Sequence, residues 1–293
     1  MARLTRAKRS SMSPAEKERK DLKGPKRVEF RPRKQNKRET VALVDAEIIV
    51  YQACADCTVE ERVGDEYTWT LDKRAALNRA VERVEQASRE IGATDIVLAA
   101  GSVENWRKRI CETYKANRAG KKKPLGYGDV IEALGLVYRL ERKPRLEADD
   151  VLGILMTGEF EDRGVIVSND KDMLTVPGRH YNPSDPNPKI VSVDAERAEI
   201  EHAVLALAGD SADGYKGCRG VGEKGARDAL SSRRSNQSVW QAALEQFRKA
   251  GHDEAYALQQ FRISYVMRDG DLKGDVVKLW GPTTHGLTKN GRR

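Results

Sequence analysis

Eight carboxylates in this 293-residue chain stand where they could act together. Asp45 closes the apolar run Val41-Ala-Leu-Val44, and Asp170 and Asp172 follow the run Val165-Ile-Val167 within Ser168-Asn-Asp-Lys-Asp172. Glu147, Asp149 and Asp150 open a segment with Val151, Leu152 and Leu155 at helical spacing, and Asp210 and Asp213 follow a helical stretch ending near Gly209. Taken singly, each is a helix cap or an acid favouring the positive end of a helix dipole. Taken together, clusters at the ends of parallel strands would meet along the sheet edge where α/β folds bind ligands. So many like charges repel unless cations neutralise them, and an all-oxygen donor set suits Mg²⁺ or Mn²⁺.

Two further segments bear on a polyanionic substrate. Residues 209–226 carry Gly217, Gly220, Gly222 and Gly225 between two helical patterns, with Lys224 near the start of the second. Glycines permit positive φ and close backbone approach, so their N–H groups can cradle a phosphate. The Gly-Lys-Ser/Thr order of a Walker loop is absent, and the segment reads as a helix–hairpin–helix clamp for a DNA backbone. The stretch from Trp106 to Arg118, followed by Lys121-Lys-Lys123, mixes Trp106 and Tyr114 with dense positive charge, as single-strand binders do; the alternative is a solvated face. Cys54-Ala-Asp-Cys57 has no second pair and no suitably spaced His, so it reads as part of a helix rather than a redox or zinc motif.

The elements that must hold these residues form an α/β pattern. Strands are expected at 41–44, 96–100 and 165–167, with a fourth at 189–193; helices at 46–57, 71–92 and 147–158; an irregular or hairpin excursion at 58–70; and mostly helix from Asp194. Strands alternating with helices imply a mainly parallel sheet. No stretch approaches 18 apolar residues, so no membrane partner is expected. Four Cys and no apolar segment after the basic N-terminus point to a reducing compartment, the cytoplasm. The net charge is +8, but residues 1–40 hold 15 Lys/Arg against 5 Asp/Glu, a net of +10, while residues 41–293 hold 38 against 40, a net of −2. The surplus therefore sits in a tail too polar to bury a core, which is either a phosphate-binding arm or a plain solvated extension.

The ordered motifs Val44-Asp45-Ala, Asn105-Trp-Arg-Lys with Tyr114-Lys-Ala-Asn-Arg118, Glu147-Ala-Asp-Asp150, Asp170-Lys-Asp172, Gly209-Asp-x-x-Asp213 and Leu279-Trp-Gly-Pro282 resemble those of the flap-endonuclease superfamily, in its phage-type 5′→3′ exonuclease branch. The resemblance covers about residues 40–282. It implies a PIN-like nuclease core over 41–193, with a helical arch over about 101–129. A helical DNA-binding region over 194–282 and a frayed end over 283–293 would follow. It implies a two-metal phosphodiesterase acting on duplex DNA with a 5′ end or 5′ flap, or on RNA–DNA primer junctions, in the host cytoplasm if phage-encoded. Asp45, Glu147 and Asp149 would hold one ion, Asp170, Asp172 and Asp213 the other, with Asp150 between them and Asp210 in support. Lys115 and Arg118 would position the scissile phosphate, Arg107 and Lys121, Lys122 and Lys123 would guide a 5′ strand, and Tyr51 would stack on a terminal base unless it is a core tyrosine. The glycine turn, with Gly217, Gly220, Gly222 and Lys224, would grip duplex DNA with a K⁺ ion.

One departure stands out. The family carries a metal-site Asp just after the second strand, and counting back from Asn105-Trp-Arg-Lys puts Ser102 there. Glu104 or a bridging water would then have to compensate. The competing readings are a structure-specific DNA-binding relative with impaired catalysis and a PIN-like ribonuclease; the retained carboxylates count against the first and the glycine turn against the second.

Overall fold

The computed structural model describes residues 39–118 and 120–283. All but the last two residues of the basic tail, and all but the first residue of the segment expected to fray at the C-terminus, lie outside the described residues.

Strand β1 (Val41–Asp45) is buried along its whole length and pairs in parallel with β4 (Asp95–Ala99) on one side and β6 (Gly164–Val167) on the other. A strand covered on both faces must be apolar throughout, and alternate residues divide accordingly. Ala42 and Val44 enter the core beneath α1 (Ala46–Asp56), α2 (Lys73–Glu90) and α3 (Tyr127–Gly135), whereas Val41 and Leu43 face α4 (Ala148–Thr157). The six-stranded sheet has the order β5-β4-β1-β6-β7-β8, parallel except for β8 (Val191–Val193), which runs antiparallel to β7 (Gly178–Tyr181). Strands β5 (Arg139–Glu141) and β7 are absent from the sequence reading because they are short and polar: Arg139-Leu-Glu and Gly-Arg-His-Tyr carry no apolar run. The 58–70 excursion is an antiparallel hairpin of β2 (Thr58–Val63) and β3 (Glu66–Leu71).

The expected helical arch is corrected. Among the described residues, 101–126 contains only two 3₁₀ turns, Trp106–Arg109 and Ala116–Arg118. Trp106 and Tyr114 are buried and draw the segment down onto the core, and Lys115 adopts φ 53°, which no helix accommodates.

Beyond the sheet, α5 (Ala195–Ala208), α6 (Glu223–Ser231), α7 (Val239–Lys249) and α8 (Glu254–Ser264) enclose a second core. Its centre is aromatic: Phe261 lies 4.8 Å from Trp280 and 5.0 Å from Trp240, ring to ring. The late Leu279-Trp-Gly-Pro motif thus closes this region by burying Trp280. A short hairpin, β9 (Leu272–Lys273) with β10 (Val276–Val277), precedes it.

Candidate active site

Five segments, at the carboxyl ends of β1, β4, β5 and β6 and after α5, enclose a cleft of about 790 Å³. Seven of the eight predicted carboxylates line it: Asp45, Glu147, Asp149, Asp170, Asp172, Asp210 and Asp213. Local chemistry fixes three of them. Asp45 caps α1 by accepting the Glu47 N–H at 2.9 Å, and Asp170 caps the turn Lys171–Thr175 by accepting the Asp172 N–H at 2.8 Å. Asp210 accepts from the amides of Ala212 at 2.6 Å and Asp213 at 3.2 Å. The capping and converging roles are therefore compatible: each cap leaves carboxylate capacity facing the cleft.

Asp150 is the exception and corrects its predicted place between two ions. It is fully buried and does not line the cleft. Its Oδ1 accepts from Arg107 Nη2 at 2.8 Å and the Met267 N–H at 3.2 Å, and its Oδ2 from Arg107 Nη1 at 2.7 Å and Trp106 Nε1 at 3.0 Å. Four donors leave no lone pair for a metal. Arg107 is corrected with it, from strand guide to internal tie. Only 3% exposed, it also donates to Glu147 at 2.9 Å and to the carbonyls of Ile263 and Tyr265 beyond the cleft.

Lys115 and Arg118 lie against the acids. The Lys115 ammonium bonds Glu147 and lies 3.5 Å from Asp213, and Arg118 donates to Asp213 at 2.6 Å. The Tyr114 hydroxyl, which sequence reasoning did not assign, sits between Glu147 (2.8 Å) and Asp213 (3.2 Å). Lys121, Lys122 and Lys123 line the rim, with Lys123 over the Tyr127 ring. Tyr51 is 49% exposed at the cleft, so it is no core tyrosine.

The glycine turn divides. Gly217 has φ 62°, and a Cβ there would lie 2.4 Å from the Gly209 nitrogen; its own N–H donates to buried Gln260. It serves packing, not phosphate, which corrects its predicted DNA contact. Gly220, with φ 78°, and Gly222 face open space, and Lys224 is exposed on α6. Ser102 does not line the cleft.

Electrostatics divides the acids into two groups. Burial alone would raise the Glu147 carboxyl, but Arg107 and Lys115 hold it down to about 2. Burial, then the charge of Glu47, pushes Asp45 up to about 6; burial, then Asp170 and Asp210, pushes Asp172 up to about 7. Asp149 is raised well above the carboxylate range by burial and by Asp45 and Asp170. Among the described residues, no three of these groups already stand in ligand geometry around one point; the chain's own Lys115, Arg118 and Tyr114 hold several of them. The donor chemistry nevertheless fits hard divalent cations: clustered carboxylates driven toward protonation by burial and then by one another lack counter-charge.

Residues 40–200 match the family model described as the 5′-3′ exonuclease, N-terminal resolvase-like domain. The chain is 30% identical over 202 residues to the exonuclease of Escherichia phage T7, covering 66% of this chain and 67% of that protein. It is 31% identical over 193 residues to the exodeoxyribonuclease of Enterobacteria phage T3, covering 62% and 64%. The matched segment thus spans about two thirds of each relative. In fold it is similar to the bacteriophage T5 5′-exonuclease solved with divalent metal ions (zinc), with a TM-score of 0.56, 13% identity and coverage of 77% of this chain and 89% of that one.

Proposed function

The chain belongs to the 5′-3′ exonuclease / flap endonuclease superfamily, as a relative of the phage T7 and T3 exonucleases, and from that premise we propose how it hydrolyses DNA. The observation that carries the reading is the convergence of seven carboxylates from four separate segments on one cleft whose wall also bears Lys115 and Arg118.

In this reading Asp45, Glu147 and Asp149 would hold one Mg²⁺ or Mn²⁺, and Asp170, Asp172 and Asp213 a second, with Asp210 bracing Asp213 through its amide. Such ions supply an activated water and neutralise charge on the reacting phosphate. The chain's residues supply the rest. Lys115 and Arg118, paired here with Glu147 and Asp213, would present their donors to the scissile phosphate. Lys121, Lys122 and Lys123 attract the 5′ strand along the rim, and Tyr51 offers an exposed ring to its terminal base. Gly220, Gly222 and Lys224 would hold the duplex away from the cut with backbone N–H groups and charge, and the same turn would hold the K⁺ ion, which would add positive charge for the DNA backbone. Arg107 and Asp150 tie the basic segment to α4 and to the end of α8, so the cleft and the helical region keep a fixed register.

The test is digestion of 5′-labelled duplex, 5′-flap duplex and RNA by the purified chain, with and without Mg²⁺. Mg²⁺-dependent products from the DNA substrates support the reading. Cleavage of RNA alone would favour the PIN-like ribonuclease, and binding without cleavage the impaired relative.

A further inference from the structure

The end of β4 bears no acid of its own on the cleft. Ser102 spends its hydroxyl on a turn, donating to the Glu104 carbonyl at 2.7 Å and accepting the Arg145 N–H at 2.9 Å. Neither Ser102 nor the exposed Glu104 lines the acid cleft. A different carboxylate reaches this edge. Glu47 rises from the first turn of α1, crosses to β4 and accepts the Gly101 N–H on Oε1 at 3.1 Å. The contact explains the glycine: a Cβ on Gly101 would lie 3.2 Å from that oxygen, and 3.3 Å from both Ala148 N and Glu147 Cα. The Glu47 carboxylate is therefore seated where β4 ends and α4 begins, beside the residues that carry Glu147 and Asp149. It lines the cleft with them, and its nearest cation is the well-exposed Lys123, 3.7 Å away.

We propose that Glu47 is a ligand of the ion held by Asp45, Glu147 and Asp149, delivering from α1 the charge that Ser102 does not provide from β4. This rests on the two-ion reading above. The alternative is a tie: Glu47 would merely join α1 to β4 through Gly101. That role predicts a lower melting temperature and unchanged metal binding.

Mn²⁺ titration of the full chain, followed by electron paramagnetic resonance, separates the two. Glu47→Gln keeps an oxygen for the Gly101 amide and removes the charge; Glu47→Asp keeps the charge and shortens the reach. In both, one of two Mn²⁺ sites should weaken by roughly tenfold or more, with the other unchanged. Unchanged Mn²⁺ binding in both variants, with a site lost in Asp149→Asn, would overturn the role of Glu47 and leave the two-ion reading standing. Binding unaffected even by Asp149→Asn would bring down both readings.

Discussion

Replacing Arg107 by Met should destabilise the protein far more than it weakens DNA binding. The guanidinium is 3% exposed and supplies two of the four close donors on Asp150, itself fully buried, plus one on Glu147 and two on carbonyls at the end of α8. Removing one partner of a buried pair strands the other charge, at a cost of about 3–5 kcal/mol. Pairing Arg107→Met with Asp150→Leu removes both charges and should recover much of that loss, since a buried ion pair and an apolar pair of similar size are often close in stability. The assay is urea unfolding in EDTA followed by tryptophan fluorescence; Trp106, stacked 4.6 Å from the guanidinium, reports locally. A loss below about 1 kcal/mol, together with weaker DNA binding and a shallower salt dependence, would return Arg107 to the role of a strand guide.

Lys115→Met should lower single-turnover cleavage by about 10²–10³-fold while tightening Mn²⁺ binding, because Glu147 and Asp213 lose a resident cation; weaker Mn²⁺ binding would contradict this. Burial, then neighbouring carboxylates, pushes Asp45 up to about 6 and Asp172 up to about 7 from an ordinary 3.8. Their raised values favour the protonated native state, so this contribution is full below about pH 4 and is lost as pH rises through 6 to 7. Metal-free protein should melt progressively lower over that range, with Mg²⁺ restoring it above pH 7 and releasing protons on binding near pH 6; a flat melting profile from pH 5 to 8 would refute this. Gly217→Ala, with its Cβ driven against the Gly209 nitrogen, should cost more than about 2 kcal/mol in thermal melts. Gly220→Ala, facing open space, should cost about 1–2 kcal/mol and chiefly weaken duplex binding.

The sheet was legible where burial on both faces demands continuous apolar residues, as in Val41–Val44 and Val165–Val167, and illegible in β5 and β7, whose pairing rests on neighbours rather than on their own composition. Asp45, Asp170 and Asp210 were legible because a carboxylate that caps its own turn is satisfied locally, whereas Glu147 and Asp213 are also held by long-range partners, Arg107, Lys115, Arg118 and Tyr114. Asp150 and Arg107 misled for the opposite reason. Each looks like its neighbours in a run of acids or bases, and only the tertiary packing that brings Met267 and Tyr265 against α4 reveals that they face inward. Glu47 was overlooked although it stands two residues from Asp45, since motif spacing directs attention to the end of β4 itself, and a side chain crossing from another element leaves no such spacing. Gly217 and Gly220 are indistinguishable as letters; the chain around Gly209 gives one a packing role and leaves the other open.

In the proposed mechanism this cleft works through two divalent ions. Anomalous scattering from crystals of the chain soaked in Mn²⁺ tests it most directly. Two peaks are expected inside the cleft, one beside Asp45, Glu147 and Asp149 and one beside Asp170, Asp172 and Asp213, with none against Asp150. A single peak, peaks outside the cleft, or an ion on Asp150 would contradict it.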